Sequence, residues 1–256
     1  MDWFAEFCIW IKSLDVGQDV YMSFHYLSVA AAALLFLWLA KKMNVKWWRA
    51  LIALLVDCAV FYSLMMIIGW AESGFEAFGK RNLVTVFIWG PAIFFIGSKI
   101  SGMPWKKLCV MSAPALPLIH GVSRPGCMIV GCCRGFESSF GIYNVKTGNY
   151  LFPIQTVEML LSLAMVAVLV YILKRKKYEY VRWLYPFMLF VYGIIQFVCD
   201  FYRDNEKLSW GVSQRGYHAL SLIIVGAIWL YVLYEIRLKE EARKNRFKKP
   251  NQKEKY

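Results

Sequence analysis

Seven apolar runs, each bounded by charged or aromatic residues, dominate this chain and leave few folds open to it. They read Tyr21–Ala40, Trp48–Trp70, Leu83–Gly97, Leu108–Cys133, Ile154–Leu173, Leu184–Cys199 and Tyr217–Tyr234. About 20 helical residues cross a ~30 Å hydrocarbon layer; most runs approach that length, and the third and sixth are short. In hydrocarbon the chain must satisfy its own backbone polar groups, so each run is predicted as a helix. The composition agrees, with 59% hydrophobic and 18% charged residues over 256 positions, where soluble domains hold about 45–50% and about 25%. The expectation is an all-α integral membrane protein with about seven transmembrane helices. An interfacial lead-in covers residues 1–20, a seven-span domain residues 21–235, and a basic tail residues 236–256. The first run is too long for the apolar core of a cleavable signal peptide and lacks a basic leader. Six of the seven cysteines fall in the runs, which excludes a disulfide-stapled secreted domain.

A net charge of +13 invites a nucleic-acid role, and its distribution argues otherwise. Connections 41–49, 99–107 and 174–182 with the tail from 237 carry 21 of the 30 basic residues; the alternate connections carry 8, and Arg124 stands within the fourth run. The positive-inside rule then places the N-terminus outside and the C-terminus in the cytoplasm. The basic tail is a solvated segment expected to touch anionic membrane lipids. No nucleic-acid partner is expected.

The informative segment is 112–158, SAPALPLIHGVSRPGCMIVGCCRGFESSFGIYNVKTGNYLFPIQTVE. Pro114, Pro117 and Pro125 interrupt backbone hydrogen bonding, which a bilayer tolerates only where protein or water re-satisfies the freed groups. Arg124 is a permanent cation at membrane depth, costly unless it faces a cavity or an anion. His120, four residues earlier, shares its helical face. One reading pairs Arg124 with Asp57 or Glu158; the other makes it a phosphate seat, which its forked guanidinium fits well.

The run HGVSRPGCMIVGCCRG resembles the signature of the prolipoprotein diacylglyceryl transferase family, in the branch patterned H-x-x-x-R-x-G-C-x-x-x-G-C-C-x-G. The matches are His120, Arg124, Gly126, Cys127, Gly131, Cys132, Cys133 and Gly135. FGIY looks like the family's short following strand, and PIQTVE is similar to its P-x-Q-x-x-E, giving Pro153, Gln155 and Glu158. QFVCDFYR resembles R-F-x-x-E-F-x-R, with Asp200 in place of Glu and Arg203 matching.

The resemblance implies transfer of a diacylglyceryl group from phosphatidylglycerol to the cysteine thiol of a preprolipoprotein signal peptide, in the bacterial plasma membrane, with no metal or other cofactor. It implies catalytic roles for Arg124, His120, Glu158, Gln155 and Arg203, with Arg124 on the phosphate and His120 accepting the thiol proton. Substrate contacts would come from Tyr26, Gly126, Cys127, Gly131, Cys132, Gly135 and Asp200. Some positions depart from the pattern. A family histidine would fall near Ile88 or Trp89, an expected arginine near Gln196 is neutral, and in the best-known branch Asn and Glu stand at Cys127 and Cys132. These departures leave open a non-catalytic paralogue that binds lipid or signal peptides, or a transferase with another acceptor. C-x4-C-C is not zinc-ligand spacing by the usual rules, and a helix would splay Cys127 from Cys133. Small apolar packing is the ordinary use of buried cysteines; a bond to substrate, a redox pair or a transient lipid carrier are the alternatives.

Overall fold

The structure, a computed structural model, describes residues 3–72, 74, 83–176 and 181–248. The elements follow the order α1 (Trp3–Ser13), α2 (Gly17–Lys42), α3 (Trp47–Glu72), α4 (Leu83–Ser101), α5 (Trp105–Val130), β1 (Glu137–Tyr143), β2 (Tyr150–Leu151), α6 (Ile154–Arg175), α7 (Leu184–Phe201) and α8 (Gln214–Lys248). Five of the described helices, α2, α3, α6, α7 and α8, are long and apolar enough to cross a membrane; α4 has a shorter apolar stretch, Phe87–Ser101. The chain is thus a multi-pass, helical membrane protein. Lys80 and Arg81, the connection 177–180 and residues 249–256, used in the charge count, lie outside the described residues.

Burial sorts the helices into layers. Over half of the apolar window of α7 is buried (56%), against 17% in α2, α3 and α8. The weakly buried helices leave Leu34, Leu55, Ile67, Ile224, Ile228 and Tyr231 exposed, as hydrocarbon solvent requires. Between them, α5 and α7 form the centre, with Leu108, Met111, Tyr185, Met188, Leu189 and Tyr192 fully enclosed.

Three departures from the sequence expectation have local causes. The fourth apolar run ends at Val130, because Gly131 adopts a left-handed conformation (φ 70°) and its N–H caps the last turn of α5, a role glycine fills without strain. Cys132 and Cys133 therefore lie beyond the helix. The last run continues as helix to Lys248, so the described part of the basic tail, 236–248, is helical and continuous with the final run. Of the two carboxylates open to Arg124, Asp57 is not the partner; Glu158 is. The Asp57 carboxylate oxygens have no hydrogen-bond partner among the described residues, and the side chain lies against Gly97 of α4.

The irregular end of the bundle is stitched together by polar contacts. β1 and β2 form an antiparallel hairpin through the pairs Tyr143–Tyr150 and Ile142–Leu151. Asn144 donates to the Gly131 carbonyl at 3.1 Å and accepts from Lys146 and Thr147, fixing the hairpin turn to the end of α5. Lys12 of α1 donates to the Val145 carbonyl at 3.0 Å, so the lead-in helix reaches the hairpin. Arg203, just beyond α7, pairs backbone to backbone with Gly135, and Asp204 N–H donates to the Arg134 carbonyl at 3.0 Å.

Proline placement explains one core contact. Pro91 stands inside α4 and has no N–H, so the Phe87 carbonyl loses its donor one turn on. The buried Tyr185 hydroxyl of α7 supplies it, donating to Phe87 O at 2.9 Å. Tyr185→Phe leaves that carbonyl unsatisfied, at a cost of about 1–3 kcal/mol. The variant should show a lower thermal unfolding midpoint in detergent, and an unchanged midpoint would contradict this account.

Candidate active site

Four helix ends meet around Glu158: the C-termini of α5 and α7 and the N-termini of α6 and α8. Arg124 comes from the last two turns of α5, Glu158 from the first turns of α6, Arg203 from just beyond α7, and Arg215 from the start of α8. Glu158 is completely buried and is the common partner. Its Oε2 lies 3.1 Å from Arg124 Nε and accepts from Arg203, while Oε1 stands 3.5 Å from Arg215. Three guanidinium groups against one carboxylate leave two positive charges in excess. Donors are in excess too. The Nε groups of Arg203 and Arg215 and the Gln196 amide nitrogen have no hydrogen-bond partner among the described residues. A buried set with surplus donors and surplus positive charge is suited to an anionic group.

His120 is held inside this set. Its Nε2 faces Arg124 and stands 3.3 Å from Arg215, and Nδ1 lies 3.1 Å from Ser162 Oγ. Arginine can only donate, so Nε2 accepts and Nδ1 carries the proton toward Ser162. Tyr192 packs edge-on against the ring, with centroids 5.4 Å apart. The imidazole thus orients two guanidinium groups, and its one lone pair is occupied in doing so.

Arg215 has no counterpart in the motif reading. It donates to Gln196 Oε1, so the cation missing at Gln196 is replaced by one from the following helix. Asp200 fixes that helix. Its carboxylate accepts from the Ser213 N–H at 3.0 Å and from the Ser213 hydroxyl, with Lys207 Nζ 3.5 Å away. Asp200 therefore sits outside the arginine set and anchors the segment that presents Arg215. A charged residue two places into a helix, in a polar connection, looks in sequence like any solvated loop cation. Only its neighbour Gln196 hinted otherwise.

The remaining residues divide. Gln155 donates to the Cys132 carbonyl at 2.8 Å, holding the turn after α5. Gly126 packs on α2, where a Cβ would come 3.3 Å from Tyr21 Cα, and Gly135 passes so close to the Phe152 carbonyl that a Cβ would meet it at 2.5 Å. Both glycines, like Gly131, are used by the chain for its own crossings. Tyr26 is 65% exposed and lines a separate apolar cavity of about 620 Å³ between α2, α3, α4 and α5. On α5 the cavity wall runs from Ser112 to Ile119, one residue short of His120.

Beyond Gly131 the chain turns back, and the Sγ atoms of Cys127, Cys132 and Cys133 all lie within 4.8 Å of one another. The end of α5 at Val130 overturns the splayed arrangement expected from an unbroken helix. Arg124 donates to Cys127 Sγ at 3.7 Å. Hydrogen bonds from Cys127 and Cys132 hold the Cys133 thiol well below its ordinary pKa, assisted by Arg124 and Arg203 and opposed by burial. Cys132 is pushed upward by the same sharing of protons. These three are the described residues suited to a metal ion.

The fold and site define a helical membrane protein with a buried guanidinium cluster beside a thiol cluster. A family model described as prolipoprotein diacylglyceryl transferase matches residues 18–233, and the chain belongs to that family. It is 28% identical over 142 residues to the phosphatidylglycerol–prolipoprotein diacylglyceryl transferase 2 of Clostridium perfringens, covering 53% of this chain and 55% of the relative. It thus spans about half the length of that relative. To a phosphatidylglycerol–prolipoprotein diacylglyceryl transferase of Dehalococcoides mccartyi it is 24% identical over 198 residues, or 74% and 72% of the two chains.

Glu158 compensates all three arginines, so removing its charge strands them in the interior. Breaking a buried pair this way costs about 3–5 kcal/mol. Glu158→Gln should show a markedly lower thermal unfolding midpoint in detergent, and a midpoint equal to that of the unmutated protein would refute the compensation.

Proposed function

We propose that the protein transfers the diacylglyceryl group of phosphatidylglycerol to the cysteine thiol of a preprolipoprotein signal peptide, yielding a thioether and glycerol phosphate. The observation that carries this reading is the surplus of two positive charges and of hydrogen-bond donors around Glu158. As the glyceryl C–O bond breaks, negative charge grows on the phosphate, and guanidinium groups already fixed in place stabilise that growth without reorganising. Arg124, Arg203 and Arg215 hold the phosphate; Glu158 and His120 set the angle of the guanidinium planes. The apolar cavity that reaches Ile119 seats acyl chains of the donor, with Tyr26 on its wall. Gln155 and Asp200 act as positioning residues, the first through Cys132 and the second through Arg215.

The same reading gives seven spans, with α4 and α5 crossing as well, in a bacterial plasma membrane. The charge bias places the C-terminus in the cytoplasm and the arginine set in the outer half of the bilayer. Reporter fusions after Lys176 and after Tyr256 should both report cytoplasm; an outer signal at either would overturn the orientation.

The chemical test is lipidation of a preprolipoprotein with phosphatidylglycerol, read as a mobility shift. Arg124→Lys and Arg124→Ala should each lower turnover ~100-fold to ~1000-fold, because a lysine point charge does not reproduce the fork. Near-normal transfer by Arg124→Ala would refute the phosphate seat. No transfer by the unmutated protein with any of several acceptors would point to a non-catalytic binder of lipid or signal peptides.

A further inference from the structure

The proposed reaction needs a thiolate nucleophile, and the arginine set supplies no base for it. The His120 lone pair is occupied by Arg124 and Arg215, and the Glu158 carboxylate by three guanidinium groups. The feature that remains beside them is the group of three thiols.

These thiols are gathered by construction. Gly131 ends α5 in the left-handed region, Cys132 N–H returns to the Cys127 carbonyl at 3.1 Å, and Gln155 holds the Cys132 carbonyl. Cys133 is itself left-handed, at φ 54°, a conformation that costs a non-glycine residue about 1 kcal/mol or more. Strain of this kind persists only where surrounding contacts over-determine it. Cys127 is buried, whereas Cys132 and Cys133 are half-buried, so the group has one closed side and one open side. A purely apolar packing role does not account for Cys127, which accepts from Arg124.

We infer that Cys127, Cys132 and Cys133 bind a divalent zinc ion through three thiolates, leaving the fourth coordination position to the thiol of the incoming substrate. The inference rests on the transferase reading for what enters that fourth position. Around tetrahedral zinc, with Zn–S bonds of about 2.3 Å, sulfurs stand about 3.8 Å apart; a small inward turn of side chains now within 4.8 Å reaches that spacing. Three protein ligands with one open position is how zinc is held in catalytic sites, while structural sites close the fourth. The Arg124 contact to Cys127 serves as the outer partner that orients a metal ligand. Charge also favours the arrangement, since three thiolates and Zn²⁺ carry one negative charge against the two positive charges in excess nearby.

The chemistry balances without an oxidant or reductant. A substrate thiol that coordinates zinc gives its proton to solvent. Its sulfur lone pair forms the S–C bond to the glyceryl carbon as the C–O bond to phosphate breaks. The bonding pair leaves on the phosphate oxygen, toward Arg124 and Arg203. Zinc stays divalent and the three cysteines are unchanged.

The test is titration of Co²⁺ into the full chain, purified in detergent under a phosphine reductant and stripped with chelator. One equivalent should produce sulfur-to-cobalt charge-transfer absorption and tetrahedral visible bands, both abolished by Zn²⁺. Absence of these bands in the unmutated protein overturns the site, whatever the folding of any variant. Cys127→Ser and Cys133→Ser should lose them and Cys8→Ala should keep them; retention in both serine variants also overturns it. A peptide bearing the signal-peptide cysteine should shift the visible bands, and bands indifferent to it overturn the open position. Arg124→Ala, which removes the outer partner of Cys127, should keep the tetrahedral bands but bind Co²⁺ about 10-fold to 100-fold more weakly; complete loss of the bands in a folded Arg124→Ala would overturn the three-thiolate site. Thiol-sensitive bands in a protein that transfers to no acceptor would uphold the metal site and sink the transferase reading instead.

Discussion

The buried carboxylate of Glu158 is the interaction on which this architecture depends. Three guanidinium groups converge on it from three separate segments, and none of them has another carboxylate partner among the described residues. Each would carry a prohibitive desolvation cost alone at that depth. One carboxylate is enough to make the cluster tolerable and too little to neutralise it. That imbalance is what would give the cluster an electrostatic preference for an anionic group; a site fully compensated by its own side chains would have none.

The surrounding irregular structure serves to hold that imbalance in place. Arg203 is fixed through its backbone by Gly135, and Arg215 through the Asp200–Ser213 contacts that begin α8. His120 lies between Arg124 and Arg215 and is steadied by Ser162 and Tyr192. The site is thus assembled from helix ends and the chain around a hairpin, with Arg124, Glu158 and Arg203 buried by the protein itself. The guanidinium cluster and the sulfur cluster meet at Arg124, which contacts both Glu158 and Cys127.

Much of this was legible in the sequence because it is written locally. The apolar runs mark the helices, and the spacing His120 to Arg124 places both on one face of α5. Glu158 at the head of an apolar run announces a buried charge that needs a partner. What was not legible depends on contacts between distant segments. Arg215 carries no local sign of burial, and Asp200, aligned with a family carboxylate, holds Ser213 and Lys207 instead of an arginine. The gathering of the cysteines is hidden in the sequence because apolarity continues through Cys133, whereas the helix stops at Gly131; hydrophobic pattern and backbone conformation part there. Asp57 and Glu158 are both open to Arg124 in the sequence, and the fold pairs it with Glu158, since charge in a sequence says nothing of direction.

The last helix has a mechanical consequence. α8 runs 35 residues without a proline from Gln214 to Lys248, a length of about 52 Å. A helix so continuous has no joint to absorb axial motion, and its two ends move as a rod. Sliding by one residue's rise displaces Arg215 by about 1.5 Å, more than the whole distance range over which a hydrogen bond to Gln196 or Glu158 keeps its strength. Any axial displacement of α8 is therefore a displacement of Arg215 against Gln196 and Glu158.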